Sequence, residues 1–309
     1  MIYDVKHVTT YSHETPVSST RCAMRLLPRS DAGQTVIRSA LELTPKPETS
    51  AESTDFFGNR VVEARIATPH AKLRIVMTAR VEVRRSEPPA PELTPTWEQV
   101  ARTAAGSDSL APDSPAHFIF AGRQTPMSDS VTAYARKSFA PDRPVLESAA
   151  DLMRRIHKDF TYDPDATDAS TPLAEAFEAK SGVCQDFAHI MIAGLRGLGL
   201  PAAYVSGYIR TIPHEGQPRL EGADASHAWA AIWCGPEFGW LHLDPTNAIF
   251  VGNDHIVVAF GRDYADVSPV DGVIRGGGKQ DLQVAVEVKA LESAEKPARS
   301  EPPVEPKLI

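Results

Sequence analysis

One helix-sized segment, closed by a stop signal and followed by a series of strand-like runs, constrains this chain most. Between Val183 and Leu198 the residues Val183, Phe187, Ile190, Met191, Gly194, Leu195 and Leu198 recur at helical spacing. Gly199-Leu200-Pro201 then ends the helix. Strands are expected at Ala202–Arg210, His227–Trp233, Trp240–Asp244 and His255–Phe260. A helix with one apolar stripe must bury it, and an antiparallel sheet built from the following strands is the nearest surface. The expected class is α+β.

The first 85 residues read differently. Ile2–Tyr11, Thr35–Leu43, Arg60–Ala67 and Leu73–Val83 are rich in β-formers, and the last alternates Leu73, Ile75, Met77, Ala79, Val81 and Val83 against mostly polar neighbours. Gly and Pro clusters punctuate the runs, so an N-terminal antiparallel β-sandwich is expected over 1–85. Ser86-Glu87-Pro88-Pro89-Ala90-Pro91-Glu92 can hold neither ladder nor helix. Residues 86–145 are therefore expected to be a linker with short helices near Trp97–Thr103 and Ser128–Phe139. A core follows over 146–291, opening with a helix at Pro144–Phe160 and another at Leu173–Ala179. The Glu/Lys/Pro/Ser-rich tail, 292–309, reads as disordered.

Composition excludes some classes. The net charge of −8 and the lack of any Lys/Arg run argue against a nucleic-acid partner. No apolar stretch approaches the roughly 18 residues that span a bilayer, and the first residues lack the pattern of a secretory signal. A cytoplasmic location without membrane contact is the expectation. Three cysteines, Cys22, Cys184 and Cys234, form no C-x-x-C pair, so a disulfide framework is not expected. Ten histidines are present, but no H-E-x-x-H occurs and Cys184 and His189 do not share a helix face. No metal and no cofactor are expected.

Taken alone, a cysteine reads as a small buried hydrophobe. Cys184 departs from that reading because it opens the helix, beside unpaired backbone N–H groups and the positive end of the dipole, both of which favour a thiolate. The same N–H groups could stabilise an oxyanion. His227 starts a strand that alternates His227, Trp229, Ala231 and Trp233 on one face. The next strand puts Trp240, His242 and Asp244 on one face, and Cys234–Gly239 makes a hairpin loop. If Trp233 pairs with Trp240, His227 lies one diagonal step from Asp244, about 7 Å between backbones and bridgeable by side chains. A one-residue slip would send them to opposite faces.

Together these residues form a nucleophile, its base and an orienting acid. The implied reaction is acyl transfer through a thioester. The motifs Gly182-Val-Cys-Gln-Asp-Phe-Ala-His189, Gly199-Leu-Pro-Ala-Ala-Tyr-Val-Ser-Gly-Tyr208, Asp224-Ala-Ser-His-Ala-Trp229, Gly239-Trp-Leu-His-Leu-Asp-Pro-Thr-Asn247 and Gly261-Arg-Asp-Tyr-Ala-Asp-Val267 resemble the bacterial transglutaminase-like proteins, cysteine proteases of the transglutaminase/papain-like superfamily. Val8-Thr-Thr-Tyr11 and Arg25-Leu-Leu-Pro28 resemble the β-domain that precedes the core in that family. The resemblance implies catalytic roles for Cys184, His227 and Asp244, and no metal. It also draws attention to Tyr162, upstream of the cysteine, where related folds place a side chain that helps the oxyanion; a packed corner tyrosine is the plainer reading.

The substrate expected is a peptide, a protein or a small amide, with hydrolysis the leading outcome. An amine-accepting transglutaminase is the alternative within enzymes, and a non-catalytic peptide-binding scaffold the alternative outside them. Oligomeric state is not legible.

Overall fold

A computed structural model of the chain describes residues 1–211 and 225–291. In chain order the strands β1 (Ile2–Val17), β2 (Ser19–Met24), β3 (Gln34–Thr44), β4 (Thr49–Thr54), β5 (Arg60–Ile66) and β6 (His70–Val83) come first. Helices α1 (Trp97–Ala105), α2 (Asp129–Arg136) and α3 (Val145–Asp159) follow. The short β7 (Thr161–Tyr162), α4 (Leu173–Ala179), β8 (Ser181–Gly182) and α5 (Cys184–Gly197) lead into the sheet strands β9 (Ala202–Ile209), β10 (Ala225–Trp233), β11 (Trp240–Asp244), β12 (Ile249–Phe250) and β13 (His255–Gly261). The one-turn α6 (Tyr264–Val267), β14 (Val270–Arg275) and β15 (Gln280–Leu291) complete the described chain.

The alternation in β6 resolves as expected: Leu73, Ile75, Met77, Ala79, Val81 and Val83 are all buried. They line a sandwich of two four-stranded sheets, ordered β15-β1-β6-β3 and β14-β2-β5-β4. Two of those strands come from the end of the chain. The core was expected to run to 291, yet β15 pairs with β1 from Ile2↔Leu291 to His13↔Gln280, and β14 pairs with β2. Period-two patterning says which side chains are buried, not which sheet buries them. The expected disordered tail, 292–309, lies outside the described residues.

The core sheet has the order β12-β11-β10-β9-β13, antiparallel throughout. Helix α5 packs in one cluster with Ala228, Ala230, Ile232 and Tyr204, while Trp229, Ala231, Val205 and Val257 form a second with Phe118. Covered on its far side by α2, α3 and α4, α5 is buried from Gln185 to Arg196. A helix with one apolar stripe packed on the sheet was expected; the helix found does pack on the sheet but is buried all round. Its polar residues are matched: Arg196 donates to the carbonyls of Ala202 and Arg262 and to the Thr125 hydroxyl.

Helix α2 was expected in the linker. It packs directly on α5, with Val131 and Ala135 fully buried. Gly194 permits the crossing, because a Cβ there would come within 2.8 Å of the Ala135 Cβ. Gly194→Val should therefore cost about 1–3 kcal/mol through overpacking, read as a lower urea midpoint. A variant as stable as the parent would show that the helices do not need this close approach.

Candidate active site

The local sequence explains how Cys184 is presented. Val183 is the N-cap in extended conformation, and Cys184 is the first helical residue. Asp186 reaches back to accept the Val183 N–H at 2.8 Å and the Thr167 hydroxyl at 2.6 Å. This is the reciprocal half of a capping box, with the carboxylate taking an N–H that the helix itself leaves unpaired. Gly182 makes room for it, since a Cβ there would sit 2.5 Å from an Asp186 carboxylate oxygen. Burial pushes the Asp186 carboxyl up against these hydrogen bonds. Gln185 and Asp186 are thus buried parts of the helix entry.

The hairpin has the required register. Trp233 pairs with Trp240 and Ala230 with Leu243, so His227 and Asp244 fall on one face. The His227 Nε2 and the Asp244 Oδ2 are 2.8 Å apart, with both residues buried. The Cys184 side chain is within hydrogen-bonding reach of the same imidazole, which leaves Nδ1 as the nitrogen for the thiol. Cys184 itself is partly exposed, whereas Cys22 and Cys234 are buried; none of the three is in a disulfide.

The electrostatics bind the three together. Burial alone would strip the proton from His227, but its hydrogen bonds to Asp244 and Cys184 more than offset that, raising its pKa to about 10. Burial likewise favours a neutral Asp244, yet the bonds from His227, His255 and Asn247 hold its carboxyl well below the usual carboxylate range. An imidazolium between the Asp244 carboxylate and the Cys184 sulfur is the arrangement this favours across neutral pH.

Asp244 has more partners than the sequence suggested. His255 Nε2 lies 3.2 Å from the same Oδ2, and the Asn247 amide donates to it at 2.7 Å. The backbone N–H groups of Thr246 and Asn247 donate to Oδ1 at 3.0 and 3.2 Å. The Gly252 N–H points at His255 Nδ1 from 3.4 Å, so Nε2 carries the His255 proton and donates to Asp244. In the sequence His255 reads only as the start of a strand. No spacing rule picks out a histidine on a strand that is not the hairpin partner. Trp229 packs 5.3 Å from the His255 ring and donates its indole N–H to His242 Nδ1 at 3.0 Å. Burial pushes that imidazole down to about 3, so it stays a neutral acceptor.

Tyr162 pairs with Gly182 across β7 and β8, which brings it beside the start of α5. It is 52% exposed, and burial followed by the charge of Cys184 raises its phenol. Its ring packs edge-on against Phe187 with centroids 6.3 Å apart, as a packed corner tyrosine would, while its hydroxyl bonds to nothing among the described residues. His189, by contrast, accepts the Tyr264 N–H at 3.2 Å, and burial pushes it down to about 3. It is a structural residue.

His227, Asp244 and His255 also form a grouping in which three donor atoms lie within 4.8 Å of one another. Ligands at about 2.0–2.1 Å around a tetrahedral ion stand roughly 3.3 Å apart. The 2.8 Å contact between His227 and Asp244 is shorter than that and fits a shared proton better.

A helix backed by an antiparallel sheet, with a thiol at its first turn and an imidazole and carboxylate on adjacent strands, defines a papain-like α+β class. The chain belongs to the transglutaminase-like superfamily: residues 132–245 match the model of that superfamily, and residues 3–82 match the bacterial transglutaminase-like N-terminal region. An uncharacterised protein of Mycobacterium tuberculosis is 40% identical over 300 residues, spanning 94% of this chain and 93% of that one. A protein-glutamine gamma-glutamyltransferase of Pseudomonas aeruginosa is 39% identical over 101 residues, 32% of this chain and 15% of that protein. Among solved structures, a candidate cysteine protease from Cytophaga hutchinsonii superposes with a TM-score of 0.74 at 23% identity, covering 96% of this chain and 93% of that one. That last likeness is one of fold.

Proposed function

We propose that the protein hydrolyses a peptide or amide bond through a thioester on Cys184. The Cys184 sulfur attacks the carbonyl carbon and forms the C–S bond, His227 having taken the thiol proton. As the tetrahedral intermediate collapses, the C–N bond breaks and the amine leaves with the proton from His227. Water, deprotonated by the same imidazole, then releases the acid and restores the thiol. Asp244 holds the tautomer and stabilises the imidazolium. The first-turn N–H groups of α5 and the Tyr162 hydroxyl are the groups available to the oxyanion.

The observation that carries this reading is the 2.8 Å hydrogen bond between the buried His227 and Asp244, with Cys184 at the helix start acting on the same imidazole. A peptide, a protein or a small amide is the substrate class, in a reducing compartment such as the cytoplasm, where the thiol survives. A primary amine in place of water is the second reading, favoured by the name of the Pseudomonas aeruginosa relative.

Mass spectrometry of the intact protein after exposure to peptide, glutamine-amide and ester libraries tests the proposal. An acyl mass on Cys184 is expected, and none on Cys184→Ala. If Cys184→Ala still accumulates the adduct, the thiol mechanism is wrong. Adding a primary alkylamine separates the two acceptors: its incorporation into the product supports the second reading, and free acid alone supports hydrolysis.

A further inference from the structure

Strand β13 is the free edge of the core sheet, and an edge strand leaves every other N–H and C=O unpaired. The sandwich fills that edge with side-chain amides. Gln34, at the start of β3 and 2% exposed, accepts the Val257 N–H and donates to the Val257 carbonyl, both at 2.8 Å. Asn59, fully buried before β5, does the same for Phe260, again at 2.8 Å in each direction.

The spacing has a cause. Outward-facing residues on a regular strand are two apart, but the β9–β13 register shifts between Val257 and Ala259. The bulge moves the next outward pair from position 259 to Phe260. Gln34 and Asn59 are placed on either side of it. At the other end of β13, the Arg85 guanidinium, just past β6, donates to the His255 carbonyl at 3.4 Å, and the Arg85 N–H bonds the Asn253 side chain at 2.9 Å. His255 is the residue whose ring donates to Asp244.

We propose that the N-terminal sandwich is a positioning part of the active site. Through Gln34, Asn59 and Arg85 it holds β13, and β13 holds His255 against the Asp244 carboxylate. His255 is a positioning residue: its ring faces Asp244, which bonds His227, and His227 in turn meets Cys184. The proposal rests on those three being the reacting machinery.

The test uses the full chain and iodoacetamide, following alkylation of Cys184 by peptide mass spectrometry from pH 5 to 10. In Gln34→Met two backbone groups of Val257 lose their partner. Alkylation should slow by on the order of 10-fold, since small misplacements near reacting groups are costly. The upper limb of the profile, where His227 gives up its proton among Cys184, Asp244 and His255, should move to higher pH, because a carboxylate short of the His255 donor holds that proton more tightly. His255→Ala should reproduce both changes, His255→Gln, which keeps a donor, should restore most of the rate, and Gln34→Met should add little on top of His255→Ala. A folded Gln34→Met with the parent rate and profile overturns the proposal, as does a loss that stays undiminished in the His255→Ala background.

If Gln34→Met does not fold, Arg85→Met carries the same prediction at about threefold, the scale of one hydrogen bond; a parent-like rate there also overturns it. Failure of the underlying assignment looks different. His227→Ala would then alkylate as fast as the parent.

Discussion

With His227 replaced by alanine, acylation of Cys184 is expected to slow by roughly 10²–10⁴-fold, the range for losing a positioned general base. The imidazole is the proton acceptor within reach of the thiol, and its pKa of about 10 keeps the imidazolium present over the whole neutral range. The parent should react with iodoacetamide at pH 6 much faster than a model thiol, and His227→Ala should not. The variant should still fold, because Asp244 keeps its bonds from His255, Asn247 and the Thr246 and Asn247 backbone. Unchanged alkylation rates in a folded His227→Ala would remove the histidine from the mechanism.

Asp244→Ala is expected to damage both activity and stability. The carboxylate is wholly buried and takes five hydrogen bonds, from His227, His255 and Asn247 on Oδ2 and from two backbone N–H groups on Oδ1. Its removal strands a buried imidazolium and several donors, which costs about 3–5 kcal/mol. Activity should fall by up to roughly 10⁴-fold, as when a triad acid ceases to hold the imidazole tautomer.

The cost should depend on pH in a defined direction. Asp244 binds its proton less tightly folded than unfolded, so its contribution is present above about pH 4 and is lost as pH falls through its depressed folded value. His227 binds its proton more tightly folded, so its contribution is complete below about pH 6.5 and fades as pH rises through about 10. The stability difference between parent and Asp244→Ala should therefore peak between about pH 4 and 6.5 and shrink towards pH 10. Paired urea titrations across that range measure it, and a flat difference would mean that the ion pair does not form.

Much of the core was legible because its signals are local. The stop at Gly199-Leu200-Pro201 and the Pro144–Phe160 pattern agree with α5 and α3 to within a residue or two. The Trp233↔Trp240 register follows from a short hairpin loop and a buried face, both readable from neighbouring residues. Strands β2 and β4 were missed. Ser19–Met24 and Thr49–Thr54 carry few apolar residues, and β4 is exposed along its whole length. Their pairing with β5, not their own sequence, makes them strands.

What the sequence determined by itself was the order and type of the chemical parts: a thiol at a helix start, a histidine and an aspartate in one hairpin, and a strand-rich region ahead of them. Those are short-range consequences of periodicity, capping and turn chemistry. Only the tertiary structure decided that the last two strands return to the first sheets, that α5 is central, and that His255 and the Gln34–Asn59 clamp stand behind Asp244. These contacts join residues about 200 positions apart, as in the 201 between Asn59 and Phe260. No local pattern encodes such a pairing, because an amide that caps a distant edge strand looks, in sequence, like any polar residue at the start of a strand.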